Sequence, residues 1–405
     1  MEKPLPLDGV KIIELTRVIV GSCTGRILGD CGATVVHVET AKKPDTLRII
    51  FPYKDGTPGI NRAGYFNKYN ADKYGMALDL THPRGIEVMH RLIEWTDVFI
   101  ESNVPGVVAK HGLDYEGVKE IKPDIIMLST CQMGQKGPLA RFKGYGVQGA
   151  AMAGFHELTG YSDSGPVGPF GSYTDMVSPQ WLIAAVVAAL IYRRRTGKGQ
   201  YIDHSQLETG SHFLAPLIMD YAANKRLAGR VGNREEFAAP HGAYRCKGDD
   251  RWCTIAVCDD EEWGAFCRVI GSPPWTKESR FSSLLERKRN EDELDKLVES
   301  WAMERTAEEV MSLMQQAGVS AGIVATAEDL HRDSQFRYQG HFKLLNHTEI
   351  GAVPFDNPPF RFSKTPCEVR MSAPCLGEHN EYICRHILGM SDEEFVELIQ
   401  SGALE

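Results

Sequence analysis

Apolar and polar positions follow two alternating patterns along the first 130 residues. Short apolar runs rich in β-branched residues, typical of buried strands, alternate with stretches whose apolar residues recur at the spacing of one helix face. The predicted strands are Val10–Leu15, Thr34–Val38, Gly75–Leu80, Val98–Glu101 and Ile125–Ser129. The predicted helices are 21–30, 85–96 and 115–121. Strands joined by helices predict crossover connections, so we expect an α/β fold with a mostly parallel sheet.

The pattern changes further along the chain. A glycine- and proline-rich stretch at 132–172 leads to two apolar helices, one opened by Ser178 and Pro179 and one over 205–223. The later segments predict a β-hairpin at 242–258, helices at 261–269 and 291–316, short strands, and final helical stretches at 378–387 and 391–401. We therefore place domain bounds at 1–227, 228–329 and 330–405.

The composition is that of a globular protein, with 42% apolar and 24% charged residues in 405. This length favours two domains or one large discontinuous domain. A net charge of −9 gives no overall attraction to nucleic acid or anionic lipid. The start at Met1 lacks the apolar segment of a signal peptide, and the most apolar run, Trp181–Ile191, is shorter than the roughly 18 residues of a membrane span.

Ten scattered cysteines form neither a Cys-x-x-Cys pair nor a cluster at zinc spacing. Reduced thiols of this kind are typical of cytosolic enzymes. We therefore expect a cytoplasmic protein without a metal site and without a nucleic-acid or membrane partner.

The first strand–helix–strand unit carries a weak dinucleotide signal. Gly21 and Gly25 open the helix and Glu39 ends the second strand, but the Gly-x-Gly-x-x-Gly spacing is absent. Lys42 and Lys43 follow Glu39. They suit a phosphate group as well as they suit a solvated loop.

Further cations follow or flank the predicted strands, near the edge where parallel sheets bind ligands. They are Arg17, Lys73, Lys110 with His111, and Lys143. Each one alone is more often a surface charge. Together they predict an anionic ligand.

Asp175 is the candidate nucleophile. It lies just before the predicted helix, where the helix dipole and free N–H groups favour an ionised carboxylate. Such a carboxylate can attack an acyl group. The same position is more commonly an ordinary helix N-terminal acid. The sequence offers no Ser-His-Asp set, nucleophile elbow, P-loop or metal motif as an alternative.

Several segments resemble one family in the same order over nearly the whole chain. They are Pro6–Leu15, Leu28–Glu39, Asn70–Lys73, Glu101–Gly106, Thr196–Gln200 and Leu376–His379. In this order they resemble the class III CoA-transferases, such as the formyl-CoA, carnitine and benzylsuccinate enzymes. The resemblance implies a Rossmann-like sheet in a large domain that joins 1–227 to 330–405. It also implies a smaller α+β domain between them and an interlocked homodimer.

The resemblance also implies a mechanism. Asp175 stands at the position of the family nucleophile, which attacks an acyl-CoA and passes CoA to an acceptor acid through an aspartyl thioester. Positions that match CoA-binding residues are Val18, Ile19, Lys42, Lys43, Asn70, Lys73, Lys110, His111, Lys143 and Tyr145. Relatives often carry an acid where this chain has Gly146. CoA and acyl-CoA are substrates, and no permanent cofactor is implied. Succinyl-CoA is one candidate donor, and the acceptor acid stays open.

Three alternatives remain at this stage. An α-methylacyl-CoA racemase of the same fold needs a His-Asp pair, whereas residues 143–146 read Lys-Gly-Tyr-Gly. A nicotinamide-dependent dehydrogenase would need the missing glycine fingerprint. A heteromeric transferase would combine this chain, as catalytic subunit, with a related one.

Overall fold

The computed structural model describes residues 4–405, which form two compact units. Met1–Lys3, part of the signal-peptide prediction, lie outside the described residues. The strands are β1 (Lys11–Leu15), β2 (Thr34–Glu39), β3 (Tyr74–Ala77), β4 (Val98–Glu101), β5 (Ile126–Cys131), β6 (Gln200–Ser205), β7 (His241–Arg245), β8 (Trp252–Ala256), β9 (Ser320–Ile323), β10 (Phe342–His347) and β11 (Gly351–Asp356).

The helices are α1 (Val20–Asp30), α2 (Gly64–Asn70), α3 (Pro83–Trp95), α4 (Tyr115–Ile121), α5 (Gly146–Met152), α6 (Phe155–Leu158), α7 (Tyr173–Thr196), α8 (Gln206–Phe213), α9 (Ala215–Asn224), α10 (Asp260–Val269), α11 (Leu284–Arg289), α12 (Glu291–Ala302), α13 (Ala307–Gln316), α14 (Ala327–Arg332), α15 (Ser334–Tyr338), α16 (Asn380–Tyr382) and α17 (Asp392–Gln400). Short 3₁₀ turns lie at Thr46–Ile49, Lys54–Gly56, Val108–His111, Pro274–Lys277 and Ser279–Phe281, and a π turn lies at Ile383–Ile387.

The first unit is built on a six-stranded sheet in the order β3-β2-β1-β4-β5-β6. Every neighbouring pair is parallel. This confirms the predicted α/β fold with a parallel sheet. Strands β2 and β4 both pair with β1, so the order of winding reverses there. Ligands of such sheets bind beyond the carboxyl ends of the strands at this reversal.

The central strands of this sheet are buried on both faces. Ile13 and Phe99 pack in one apolar cluster with residues of α3, while Ile12 and Ile100 pack in another with Leu182 of α7. Successive side chains of a strand point to opposite faces, so burial on both sides produces the continuous apolar runs by which β1 and β4 were predicted.

The sequence analysis missed the edge strand β6. This strand pairs only with β5, and of its six residues Ser205 alone is buried. A partly exposed strand has no continuous apolar run, and the sequence pattern therefore gave no signal. The helix predicted over 205–223 is two helices, because α8 ends at Phe213 and α9 begins at Ala215, immediately before a proline.

Two other predicted helices also have different bounds. The helix predicted over 291–316 is α12 and α13, and Thr306 caps the second of them. Helix α7 begins at Tyr173 rather than at Ser178–Pro179, so Pro179 lies inside it. Asp175 is therefore in the first turn of α7 and not in the loop before it.

Helix α7 is longer than the apolar run that the sequence showed. Among the described residues it is the one helix long and apolar enough to cross a membrane by length and composition. Its Leu182, Val186 and Ala189 pack against the sheet, as expected of a core helix, and core helices meet the same criterion.

The C-terminal segment belongs to the first unit, which comprises the residues up to Phe155, Gly168–Arg226 and Ser334–Glu405. Backbone hydrogen bonds join it to β3 and the loop before it, from Glu405 N–H to the Ala77 carbonyl (3.3 Å) and from Asp72 N–H to the Met371 carbonyl (3.1 Å). The antiparallel pair β10–β11 lies in the same segment.

The second unit comprises His156–Val167 and Leu227–Asp333. It has a three-stranded antiparallel sheet, β7-β8-β9, and a core formed with α10, α12 and α13. The sequence analysis placed 156–167 in the large domain. The structure instead groups this segment with the second unit, because Gly232 N–H donates to the Gly160 carbonyl (2.8 Å) and Arg230 pairs with Glu157 (3.1 Å).

Candidate active site

Two neighbouring cavities open in the first unit at the carboxyl ends of β1 and β4. They share four lining residues, which directly follow these strands: Arg17, Ser102, Asn103 and Val104. The first cavity, of about 160 Å³, contains Asp175. The second, of about 520 Å³, is lined by Lys42, Lys43 and His111. Both lie at the reversal in the order of winding, where the fold favours ligand binding.

Asp175 is buried at the first cavity, with 4% of its surface exposed. Burial raises the pKa of its carboxyl group to about 7. The sequence had indicated a carboxylate kept ionised by the helix N-terminus. The structure differs because burial desolvates the carboxyl group, and the Asp175 N–H is already bonded to the Ser172 carbonyl (2.8 Å). Near pH 7 the group is therefore present in both protonated and ionised forms.

The first turn of α7 lacks one helical hydrogen bond. Pro179 stands four residues after Asp175 and has no N–H to donate to the Asp175 carbonyl. The turn packs closely against α5, and the Thr174 hydroxyl donates to the carbonyl of Gly146 (3.2 Å).

Gly146, the first residue of α5, allows this close approach. A Cβ atom at this position would lie 2.6 Å from Asp175 Oδ1 and 2.5 Å from Ser172 Cβ. The absence of a side chain at Gly146 is therefore required for the observed placement of the Asp175 carboxylate.

We expect Gly146→Ala to reduce the turnover number by about 10²-fold, because displacement of a reacting group by about an ångström has an effect of this order. Steady-state kinetics would measure it. Gly229→Ala is the matched control, since a Cβ there meets nothing within 4 Å. Turnover of Gly146→Ala equal to that of the control would contradict a role for this close approach.

The loop between the two cavities is conformationally strained. Val18 has φ +65°, which is rare for a β-branched residue. Two hydrogen bonds hold the loop, from Val18 N–H to Asp45 Oδ1 (3.0 Å) and from Arg17 N–H to Ser102 Oγ (2.8 Å). Strained residues held in this way concentrate at functional sites.

The structure brings most of the predicted site residues to the cavities. Val18, Ile19, Tyr145 and Asp175 line the first, and Lys42, Lys43 and His111 line the second. Lys42 pairs with Asp79 and, at 3.7 Å, with Glu405, and its hydrogen bond to Asp79 lowers the pKa of that carboxyl to about 2.

The cavity linings do not include two of the predicted cations. Lys110 and Lys143 are exposed, whereas their neighbours His111, Phe142 and Gly144 line the cavities. The sequence correctly predicted cations at this edge of the sheet, but it could not predict which side chains line the cavities.

Asn70 and Lys73 are corrections to the predicted site. Lys73 is fully buried, and its Nζ donates to Glu14 Oε1, to the Ser22 carbonyl (2.8 Å) and to Asn70 Oδ1 (2.9 Å). Its donors are used within the protein, so neither residue faces a cavity. They stabilise the packing of α1 against β1.

Two glutamines that the sequence analysis did not select also line the first cavity. Gln132 follows β5 and Gln206 follows β6. The Oε1 atom of each is buried without a hydrogen-bond partner in the described chain. The position after a parallel strand could have indicated Gln206, but only if β6 had been recognised.

The family is decided by comparison with known proteins. Residues 7–380 match the model of CoA-transferase family III. The chain belongs to this family. The predicted resemblance and the prediction of a CoA-transferase are thereby confirmed, and the dehydrogenase alternative is wrong. CoA thioesters are the substrates of such enzymes.

Relatives and solved structures extend over almost the whole chain. Succinyl-CoA:glutarate CoA-transferase of Mus musculus is 29% identical, with 99% of this chain and 90% of the relative covered. Succinyl-CoA–D-citramalate CoA-transferase of Chloroflexus aurantiacus is 28% identical, covering 98% and 97%. The crystal structure of a CAIB/BAIF family protein from Brucella suis superposes with a TM-score of 0.87 at 31% identity, covering 95% and 100%.

Proposed function

We propose that this CoA-transferase moves CoA from succinyl-CoA to a short dicarboxylic acid through a covalent intermediate on Asp175. The observation that carries the proposal is the position of Asp175, which is the one carboxylate lining the first cavity among the residues described. The names of the two relatives, each with a succinyl-CoA donor and a dicarboxylic acceptor, support the substrates.

The first half of the proposed reaction releases succinate. An ionised Asp175 oxygen attacks the thioester carbonyl, the C–S bond breaks, and the CoA thiolate leaves with the electron pair. The thiolate then attacks the Asp175 carbonyl of the mixed anhydride, and succinate leaves. The second half reverses these two steps with the acceptor carboxylate, which restores Asp175 and forms the new acyl-CoA. No proton is consumed over the cycle.

Burial explains why a carboxylate can act as the nucleophile here. The raised pKa of Asp175 reflects a negative charge that water stabilises poorly, so the group shares its electron pair more readily with a carbonyl carbon. A cavity of about 160 Å³ holds the reactants close together and leaves little room for water, which would hydrolyse the anhydride.

The second cavity is the proposed site of the CoA nucleotide. Lys42 and Lys43 offer positive charge for its phosphates, and His111 lines the same space. Because both cavities share Arg17, Ser102 and Asn103, a pantetheine arm can pass from one to the other beside the Val18 loop.

Trapping with hydroxylamine tests both parts of the proposal. The protein is incubated with succinyl-CoA, treated with hydroxylamine and mapped by mass spectrometry. We expect a hydroxamate on Asp175 that is absent from Asp175→Asn, and a higher succinyl-CoA concentration for half-labelling of Lys42→Ala/Lys43→Ala. Labelling of another residue, or equal labelling of Asp175→Asn, would contradict the mechanism.

Proton exchange, measured beside the trapping experiment, distinguishes the transferase from the racemase alternative. Racemisation needs titratable groups on both faces of the α-carbon, and no histidine lines the first cavity in the described chain. Exchange of the α-proton of a branched acyl-CoA with deuterated water, without any hydroxamate, would favour the racemase.

We also propose an interlocked homodimer in the cytoplasm. Helix α9 buries none of its residues within the chain, and its Leu217, Ile218, Met219 and Tyr221 are exposed. Exposed apolar patches of this kind favour a partner, here a second copy. A mass in solution twice the 45.0 kDa of the chain is expected. A monomer, or a chain active only with a related subunit, would contradict the homodimer.

A further inference from the structure

Gln206 has an unsatisfied side chain in the first cavity. It is the first residue of α8, lines the cavity that holds Asp175 and is 8% exposed. Its Oε1 is buried without a hydrogen-bond partner in the described chain. Buried amides are almost always hydrogen-bonded, so an unpaired one beside a reacting group indicates a ligand.

The backbone fixes where this amide lies. Ser205 caps α8 by accepting from the Glu208 N–H (3.3 Å), and the Leu207 N–H donates to the Gln132 carbonyl (2.9 Å). Strands β5 and β6 pair in register up to Cys131 and Ser205. These hydrogen bonds and the strand register therefore fix the Gln206 backbone at the carboxyl edge of the sheet.

Several other polar side chains of the cavity already have protein partners, and the Gln132 Nε2 donates to the Tyr145 carbonyl. Thr130 bonds to His204 Nδ1 (2.9 Å), and Ser102 and Asn103 bond to the backbone of Arg17 and to Glu101, respectively. Arg17 donates to the Pro44 carbonyl (2.7 Å) but has no ion pair in residues 4–405. The cavity that contains Asp175 thus offers the Arg17 guanidinium and the Gln206 carboxamide. The Gln132 carboxamide also has an unpaired Oε1, but its Nε2 is held by the Tyr145 carbonyl.

We propose that Gln206 is a specificity-determining residue that hydrogen-bonds the second carboxylate of a dicarboxylic acid whose first carboxyl group reacts at Asp175. The inference rests on the proposed function. The carboxamide presents Nε2 to the carboxylate by rotation about its last side-chain bond, since no protein partner fixes its orientation. Arg17 supplies the opposite charge in the same cavity, and a volume of about 160 Å³ favours a short acid.

The test compares acids of equal length with and without the second carboxylate. Glutarate and valerate serve as acceptors for the wild type, Gln206→Met and Gln206→Glu, with succinyl-CoA as donor. We expect Gln206→Met to lower kcat/KM for glutarate by about 10- to 100-fold, as for loss of a charge-assisted hydrogen bond. We expect less than about 3-fold change for valerate, and a melting temperature equal to or above that of the wild type, because an unpaired buried amide is removed. Gln206→Glu should lower kcat/KM for glutarate more than Gln206→Met does, because a negative charge at position 206 repels the second carboxylate.

If Gln206→Met lowers kcat/KM equally for both acids, or does not lower it for glutarate, the inference is overturned. A second measurement does not depend on turnover. Glutaryl-CoA should bind more tightly than valeryl-CoA to Asp175→Asn by calorimetry, and Gln206→Met in that background should reduce this difference in affinity by about 10-fold or more, while Arg17 keeps the remainder. If Asp175 is labelled by hydroxylamine but this difference is absent, the inference fails and the proposed function stands. If no donor labels Asp175, the proposed function fails independently.

Discussion

The substitution Asp175→Asn is expected to abolish CoA transfer and, at the same time, to stabilise the protein at pH 8. The activity is lost because the amide is not a nucleophile and cannot form the anhydride; we expect a decrease of more than about 10³-fold. The stability rises because Asn needs no desolvation of a charge. Initial rates and urea unfolding of both proteins between pH 4 and pH 8 would measure the two effects.

The sign of the stability change follows from the pKa of Asp175. Its folded value of about 7 lies above the model value of 3.8, so the folded protein keeps a proton that the unfolded chain has released. This contribution to wild-type stability is present below pH 4 and is lost as the pH rises to 7. Asp175→Asn should therefore match the wild type at pH 4 and exceed it by up to roughly 4 kcal/mol above pH 7.

The control for this comparison is Asp163→Asn, which removes an exposed acid. It should retain wild-type transfer and show no stabilisation that grows with pH. Wild-type activity should increase as the pH passes 7, because only the ionised Asp175 attacks. An Asp175→Asn variant that still transfers CoA, or that loses stability at pH 8, would contradict the assignment of a buried nucleophile.

The sequence predicted the features that depend on local pattern. Strands β1 and β4 are short, mainly apolar runs because both their faces are buried, so these runs were sufficient to find them. Asp175 could be placed near a helix start from its neighbours and from the family resemblance. The edge strand β6 and the proline-interrupted start of α7 have no such signal, and their prediction failed.

The electrostatic state of the site was not readable from the sequence. The pKa of Asp175 depends on how much water α5 and α7 exclude, which is a property of tertiary packing. The free carboxamide of Gln206 depends on the register of β5 and β6 in the same way. A motif gives the type of a functional group, but burial decides what that group does.

Lys43 and Lys73 show the same limit for a binding site. Both matched CoA-binding positions of the family, and both are cations near a strand end. The structure separates them, since Lys43 is exposed at the second cavity whereas Lys73 is fully buried against Glu14. Substitution of Lys43 is therefore expected to change the KM for succinyl-CoA, whereas substitution of Lys73 is expected to change the stability of the protein.

Replacement of Lys73 by Met is expected to destabilise the protein by about 3–5 kcal/mol, because it leaves Glu14 charged and buried without its cation. Glu14 also contacts His37 Nδ1 (2.8 Å), and His37 Nε2 lies 3.7 Å from Glu39, so the loss extends through a buried network. Glu14→Gln in the same chain should recover part of the stability by removing the unpaired charge. Urea unfolding of the two single variants and the double variant would measure this coupling.

Kinetics then distinguish a structural lysine from a ligand-binding one. Lys43→Ala should raise the KM for succinyl-CoA with little change in stability, since an exposed cation that binds phosphate contributes mainly to affinity. Lys73→Met, assayed well below its unfolding midpoint, should keep the wild-type KM, because its donors are used by Glu14, Ser22 and Asn70. A stable Lys73→Met protein with a raised KM would mean that the buried network opens to reach CoA. In that case the family-derived role would hold, and the buried arrangement would be only one state of the site.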